Sequence, residues 1–244
     1  MLSDDEIDRY ARHLVLKEIG GQGQMKLKAA KVALVGMGGI GSPAALYLAA
    51  AGIGTLGLID DDTVSLNNLQ RQVLYSTGEI GASKAGTAQA RLAQINPHCD
   101  CRVHAVRLDE ANAAAVLRGY DIVLDGCDNF PTRLLVNQVC HDLNKPLVSA
   151  AIGRWSGQLA VFKGRPCYRC LVPDLPPDAE TCERVGVVGA LAGVLGTLAA
   201  LETVKLITGA GENLAGRLMI FDGLTLQSRI VGLAADPQCR VCSR

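Results

Sequence analysis

Gly36-Met37-Gly38-Gly39-Ile40-Gly41 fits G-x-G-x-x-G, and no other stretch of the 244-residue chain restricts the fold as much. An apolar run, Val32-Ala33-Leu34-Val35, precedes it and reads as a buried strand. Ser42-Pro43 and the apolar Ala44 to Ala51 follow. Ser is a good helix cap and Pro suits the first helical position, so the glycines fall on a strand-to-helix turn. Glycine lets a backbone approach a phosphate closely, and the helix N-terminus offers unpaired N–H donors. A second strand, Thr55 to Ile59, ends at Asp60, about twenty residues on, where an acid holds a ribose hydroxyl in dinucleotide-binding folds. Strand, glycines, helix and acid in register predict a nucleotide site at Gly36, Gly38, Gly39, Gly41 and Asp60, rather than a merely structural turn.

The same alternation continues downstream. A polar segment, residues 61–72, contains Asn68 and Arg71, and a helix is predicted from Ala82 to Ile95 with Lys84 in its first turn. A cation there is unfavourable without a negative neighbour. Lys84 is therefore either a solvated surface lysine or a phosphate ligand at the mouth of the glycine turn. Cys101 to Val106 reads as a strand, Glu110 to Arg118 as a helix, and Ile122-Val123-Leu124 as a strand ending at Asp125 and Asp128. Ligands bind beyond the carboxyl ends of such strands, which puts both acids on the ligand side. A helix from Pro131 to Leu143 and a strand from Pro146 to Ala150 complete the run. This predicts an α/β, Rossmann-like, mostly parallel sheet with helices on both faces.

From Ala151 the pattern changes. Gln158 to Phe162 reads as a strand without a crossover helix, and Leu218 to Phe221 with Leu224 to Val231 as a hairpin. The parallel sheet is thus extended by antiparallel strands. Leu171 to Glu183, rich in Pro and Asp, reads as an exposed loop. At the other end, Ser3 to Gly20 is predicted helical, with Ile7, Tyr10 and Leu14 as its apolar stripe and Gly20 to Gly23 as its breaker. Arg9, Arg12, His13 and Lys17 read by spacing as a solvated basic face.

Lys plus Arg equals Asp plus Glu at 24 each, so no general attraction to nucleic acid or membrane is expected. The N-terminus has no apolar signal region, which points to the cytoplasm. Val185 to Leu201 carries no charge, but Glu202 and Lys205 continue the same helix. Gly186, Gly189, Gly193 and Gly196 line one face of it, so the reading is a core or subunit-interface helix rather than a membrane span.

Cys167/Cys170 and Cys239/Cys242 form two C-x-x-C pairs. Two such pairs suit one closed tetrahedral zinc site, structural because no ligand position stays open; redox chemistry at one pair is the alternative. Cys99, Cys101 and Cys140 read as small hydrophobes, and Cys127 as filler beside the site. Cys182 differs: it lies in the polar loop beside Glu183 and Arg184, where a thiol is either reactive or plain surface.

The chain lacks G-x-x-x-x-G-K-[ST], so it is not a P-loop hydrolase. None of its histidines falls at a strand's carboxyl end, as a hydride-transfer site would want. Asn68, Arg71, Lys84 and Asp128 instead surround the glycine turn in the predicted topology. Two cations and a carboxylate suit a triphosphate with Mg2+.

Together the glycine turn, Ser65 to Gln72, Asp128-Asn129, both C-x-x-C pairs and Thr181-Cys182 resemble the ThiF/MoeB/HesA adenylyltransferases, from Arg9-Tyr10-Ala11-Arg12 to Cys242. The resemblance implies one adenylyltransferase domain over residues 1–244. It divides into an N-terminal helical arm (1–25), a nucleotide-binding part (26–150) and a carrier-binding and zinc part (151–244). It implies that ATP activates the C-terminal Gly-Gly carboxylate of a ubiquitin-like sulfur-carrier protein, in thiamin or molybdopterin synthesis, with a slight lean to the thiamin-type branch. Arg71 and Lys84 would hold phosphates, Asn68 the phosphate end, Asp60 the ribose and Asp128 Mg2+. Arg12 would serve the other site of a homodimer, and Cys182 would handle sulfur from a cysteine desulfurase or rhodanese. With nothing visible after Cys242, no appended rhodanese-like domain is expected. Gly126-Cys127 departs from the Cys-Thr common before Asp-Asn in close relatives, but Asp128 itself is kept. An NAD-dependent oxidoreductase, a zinc-stapled binding scaffold and a tRNA-modifying dehydratase are the alternatives.

Overall fold

The computed structural model describes residues 1–174 and 186–243. One eight-stranded sheet runs through them. Its parallel part comprises β1 (Lys31–Val35), β2 (Thr55–Ile59), β3 (Asp100–His104), β4 (Ile122–Asp125) and β5 (Leu147–Gly153), in the order β3-β2-β1-β4-β5. Three antiparallel strands follow: β6 (Ser156–Phe162), β7 (Arg217–Asp222) and β8 (Gln227–Gly232). The predicted architecture is therefore present, with its antiparallel extension. Strand order reverses between β1 and β4, so their carboxyl ends diverge and open a crevice.

Parallel strands buried on both faces read as continuous apolar runs, and β1 shows why. Val32 and Leu34 face one core, with Leu48, Leu56, Leu92 and Leu195. Ala33 and Val35 face the other, with Val123, Leu117 and Val136. The first core is covered by α3 (Gly20–Ala29), α4 (Gly41–Ala50), α5 (Lys84–Ile95) and α9 (Gly189–Thr208). The second lies under α6 (Ala113–Leu117), α7 (Phe130–Asp142) and the short α8 (Tyr168–Leu171).

Three local expectations change. The N-terminal helix is two pieces, α1 (Asp4–Arg9) and α2 (Ala11–Leu14). Tyr10 breaks it, because its hydroxyl accepts a 2.8 Å hydrogen bond from buried Asn96. Gly20 to Gly23 does not end a helix but begins α3; Gly20 turns the chain at φ +54°, and Gln24 and Leu27 then anchor the helix in the core. Ser42 is not a cap: α4 starts at Gly41, and the buried Ser42 hydroxyl donates to Met37 O at 3.1 Å.

α9 is apolar because it packs between α4 and the sheet, not because of any membrane. Two of its predicted small-residue contacts occur. A Cβ on Gly189 would sit 2.2 Å from Gln70 O, and one on Gly196 2.4 Å from Ile40 O. Gly186 and Gly193 instead meet open space. Gly186 precedes the helix, which accounts for its departure from the stripe.

Candidate active site

The crevice is a cleft of about 990 Å³, with the glycine turn as one wall. Gly36 takes φ +89°, a conformation that L side chains rarely adopt. Gly41 packs so closely that a Cβ there would fall 1.8 Å from Gly36 O. The first glycine thus bends the turn and the last lets it close. Asp60 fastens it from β2: its carboxylate accepts Met37 N–H at 2.7 Å and Asp62 N–H at 2.9 Å. Burial pushes the Asp60 carboxyl above its usual range, against the pull of those two N–H groups.

Gly36, Gly38, Gly39, Asp60, Arg71, Lys84 and Asp128 all line this one cleft. Arg71 lies over Gly39 and donates to Asn67 O at 2.9 Å. Lys84 is not a solvated lysine. Its side chain is buried, and its ammonium contacts the Asp62 carboxylate at 2.6 Å. Asp128 stands exposed just beyond β4. Gly41 and Asn68 are buried and do not line the cleft, and Asn68 Oδ1 is unpaired among the described residues. Arg12 is exposed on the arm and does not line its own chain's cleft. Cys182, Thr181 and most of the predicted exposed loop lie outside the described residues.

Asp125 corrects the reading that placed it on the ligand side. It is fully buried, and its Oδ2 contacts Arg133 Nη1 and Ser149 Oγ, each at 3.1 Å. Its Oδ1 accepts Cys127 N–H at 3.0 Å. Arg133 Nη2 donates to the carbonyls of Cys127 and Ala150. Asp125 therefore fixes the loop that presents Asp128, and burial beside this carboxylate pushes the Cys127 thiol far up. Sequence reasoning missed Arg133, Asp62 and Gln72. Gln72 is buried on the cleft wall near Gly38, and its Oε1 has no partner among the described residues. Its place next to Arg71 in a polar run was the one available signal.

The four predicted zinc ligands converge. Cys167, Cys170, Cys239 and Cys242 hold their sulfurs within 4.8 Å of one another. Cys167 and Cys239 are 3.7 Å apart, and Cys170 and Cys242 3.4 Å. Tetrahedral Zn–S bonds of about 2.3 Å place sulfurs roughly 3.8 Å apart, so the cluster fits zinc, while both gaps are too long for disulfides. Asn137 ties the cluster to α7, donating to Cys167 Sγ at 3.6 Å and accepting Tyr168 N–H at 2.8 Å.

The ThiF family model matches residues 10–241. The chain belongs to the ThiF family. It is 49% identical to a Drosophila sechellia protein named adenylyltransferase and sulfurtransferase MOCS3, over 99% of this chain and 54% of that protein. An Anopheles gambiae protein of the same name is 48% identical, over 99% of this chain and 56% of its own length. The ThiF-family chain thus spans about half the length of the curated relatives it matches. In fold it is similar to Escherichia coli MccB with MccA-N7isoASN, at a TM-score of 0.86 and 24% identity, over all of this chain and 76% of that one.

Proposed function

We propose that this ThiF-family chain adenylates the C-terminal Gly-Gly carboxylate of a small ubiquitin-like sulfur-carrier protein. The observation that carries the reading is one cleft joining the glycine turn, Arg71, Lys84 and Asp128. In this reading the carrier's carboxylate oxygen attacks the α-phosphate of ATP. The bond from that phosphate to the β-phosphate breaks, leaving an acyl-adenylate and pyrophosphate. An anion attacking a polyanion needs its repulsion neutralised, and Arg71 and Lys84 supply that charge. Asp128 would hold Mg2+, which would neutralise further phosphate charge. Asp60 would hold the ribose while clamping the turn, Asn68 would support the phosphate end, and Arg12 would reach the partner's cleft in a homodimer. The names of the curated relatives, and an E. coli MccB structure solved with ATP (24% identity, TM-score 0.84, covering 97% of this chain and 75% of that one), agree with this chemistry.

The adenylate would then pass to sulfur chemistry. A thiol or persulfide at Cys182, fed by a cysteine desulfurase or rhodanese, would displace AMP from the carbonyl. Carriers of the thiamin and molybdopterin routes present the same Gly-Gly carboxylate. Unpaired thiols outside the zinc cluster fit a reducing cytoplasm. His104 ends β3, contrary to the expectation that no histidine falls at a strand's carboxyl end, but none of the four histidines lines the cleft, which favours this reading over an oxidoreductase.

The test is carrier-dependent ATP–pyrophosphate exchange. Asp128 contacts Asn129 Nδ2 at 3.4 Å and is exposed, so Asp128→Ala should fold normally and lose exchange. Near-normal exchange in the folded variant removes Asp128 from the chemistry. ATP binding without carrier-dependent exchange would instead favour a binding scaffold.

A further inference from the structure

Lys84 opens α5 with its side chain buried, and an unpaired buried ammonium is costly. The charge is met at 2.6 Å by Asp62, whose own side chain is 63% exposed. Asp62 is held in place rather than loosely paired. Its backbone N–H is bound to Asp60, its Oδ1 accepts Thr63 N–H at 2.8 Å, and its carbonyl accepts Lys84 N–H at 3.0 Å. Burial alone would push the Asp62 carboxyl up, but the bonds from Lys84 and Thr63 outweigh it and hold the group below its usual range. Both partners line the cleft beside the glycine turn. The carboxylate therefore stands on the ammonium that a phosphate would need.

We infer that Asp62 is an internal stand-in for phosphate. It pairs with the Lys84 ammonium and keeps it aimed while the cleft is empty, and an incoming nucleotide phosphate displaces it. This rests on the proposed phosphate role of Lys84. Asp62 acts through Lys84, so it is a positioning residue. Its function is to spare the empty site a buried lone cation, at the expense of affinity for phosphate. The Asp60 carboxylate also lies within electrostatic reach of Lys84, so removing Asp62 leaves the lysine a second negative neighbour.

The experiment measures binding of inorganic pyrophosphate and of ATP by calorimetry at pH 7.5 without Mg2+, so that no metal contact of a carboxylate contributes. Asp62→Asn keeps the shape and removes the competing charge. It should bind both probes roughly three- to tenfold more tightly, the scale of a partly exposed ion pair. In exchange assays it should lower the KM for ATP and leave kcat unchanged. Asp62→Glu should return affinity toward the wild type. In a Lys84→Met background Asp62→Asn should bring no gain, because the effect runs through the lysine. Unchanged or weaker binding by Asp62→Asn, in a protein whose wild type binds pyrophosphate, overturns the inference and leaves the adenylation reading intact. Absence of binding in both proteins overturns both.

Discussion

Asp125 Oδ2 lies 3.1 Å from Arg133 Nη1, with both side chains sealed from solvent beneath the cleft. The pair links the end of β4 to α7, and through the Cys127 backbone it sets the loop that carries Asp128. A buried pair is weak evidence for stability as a whole, but breaking it leaves an uncompensated charge.

Arg133→Met should therefore destabilise the protein by about 3–5 kcal/mol, because it leaves the Asp125 carboxylate buried without its cation. Urea denaturation of the variant checks this. A loss under about 1 kcal/mol would mean that water reaches Asp125 and that the pair does not hold the loop.

Much of this arrangement could be read from the sequence, for identifiable reasons. The strand and helix flanking the glycine turn, the acid at Asp60 and the two C-x-x-C pairs are local patterns with fixed spacing, and spacing survives folding. Arg133 was out of reach because its partners come from β4, β5 and the loop at Cys127, which only the parallel register brings together. Asp125 was misplaced for the same reason: a strand's carboxyl end predicts a side, not whether the side chain is covered. Ser42 looked like a cap because its neighbours suit one, yet a buried bond to Met37 took its hydroxyl. The burial of Lys84 depends on Asp62, twenty-two residues away in sequence.

Zinc should be found at one per chain in protein purified without chelators. Structural zinc contributes directly to folding, and here it would staple the C-terminal tail to the segment after β6. Cys242→Ser should lower zinc content and the melting temperature together. Metal analysis showing no zinc in the wild type, with the tail still ordered, would count against the site.

The arm should undock in acid. Glu6 is buried, 2.7 Å from Lys28 Nζ, and it accepts Ser3 N–H at 2.8 Å. The Lys28 bond first, and the Ser3 N–H second, lower its carboxyl from 4.5 to about 2. A lowered folded-state value means the native state gives up its proton more readily than the unfolded chain. The stabilisation is thus complete above about pH 4.5 and is lost as pH falls through about 2. Glu6→Gln should cost about 1–2 kcal/mol at pH 7, the scale of charge-assisted hydrogen bonds. The gap between variant and wild type should close between those two pH values. Denaturation midpoints of both proteins across this range test it, and a gap independent of pH would assign the loss to packing.

The last prediction concerns Arg12. It is exposed on α2, away from its own cleft, while the same arm is pinned to its own body by Tyr10–Asn96 and Arg9–Ile95 bonds. An arm held in this way cannot fold Arg12 back into its own site without breaking those contacts. If Arg12 serves the chemistry, a second copy of the chain must receive it. Chains carrying Arg12→Ala and chains carrying Asp128→Ala should each lack carrier-dependent exchange. Mixed after reversible dissociation, they form a heterodimer in which one cleft keeps its own Asp128 and receives an intact Arg12. With random pairing, half of the dimers are mixed and each has one complete site of two, so activity should recover to about a quarter of the wild type. Recovery at that level places Arg12 across the interface. Its absence, despite subunit exchange demonstrated with two differently tagged chains, would place Arg12 outside the partner's chemistry.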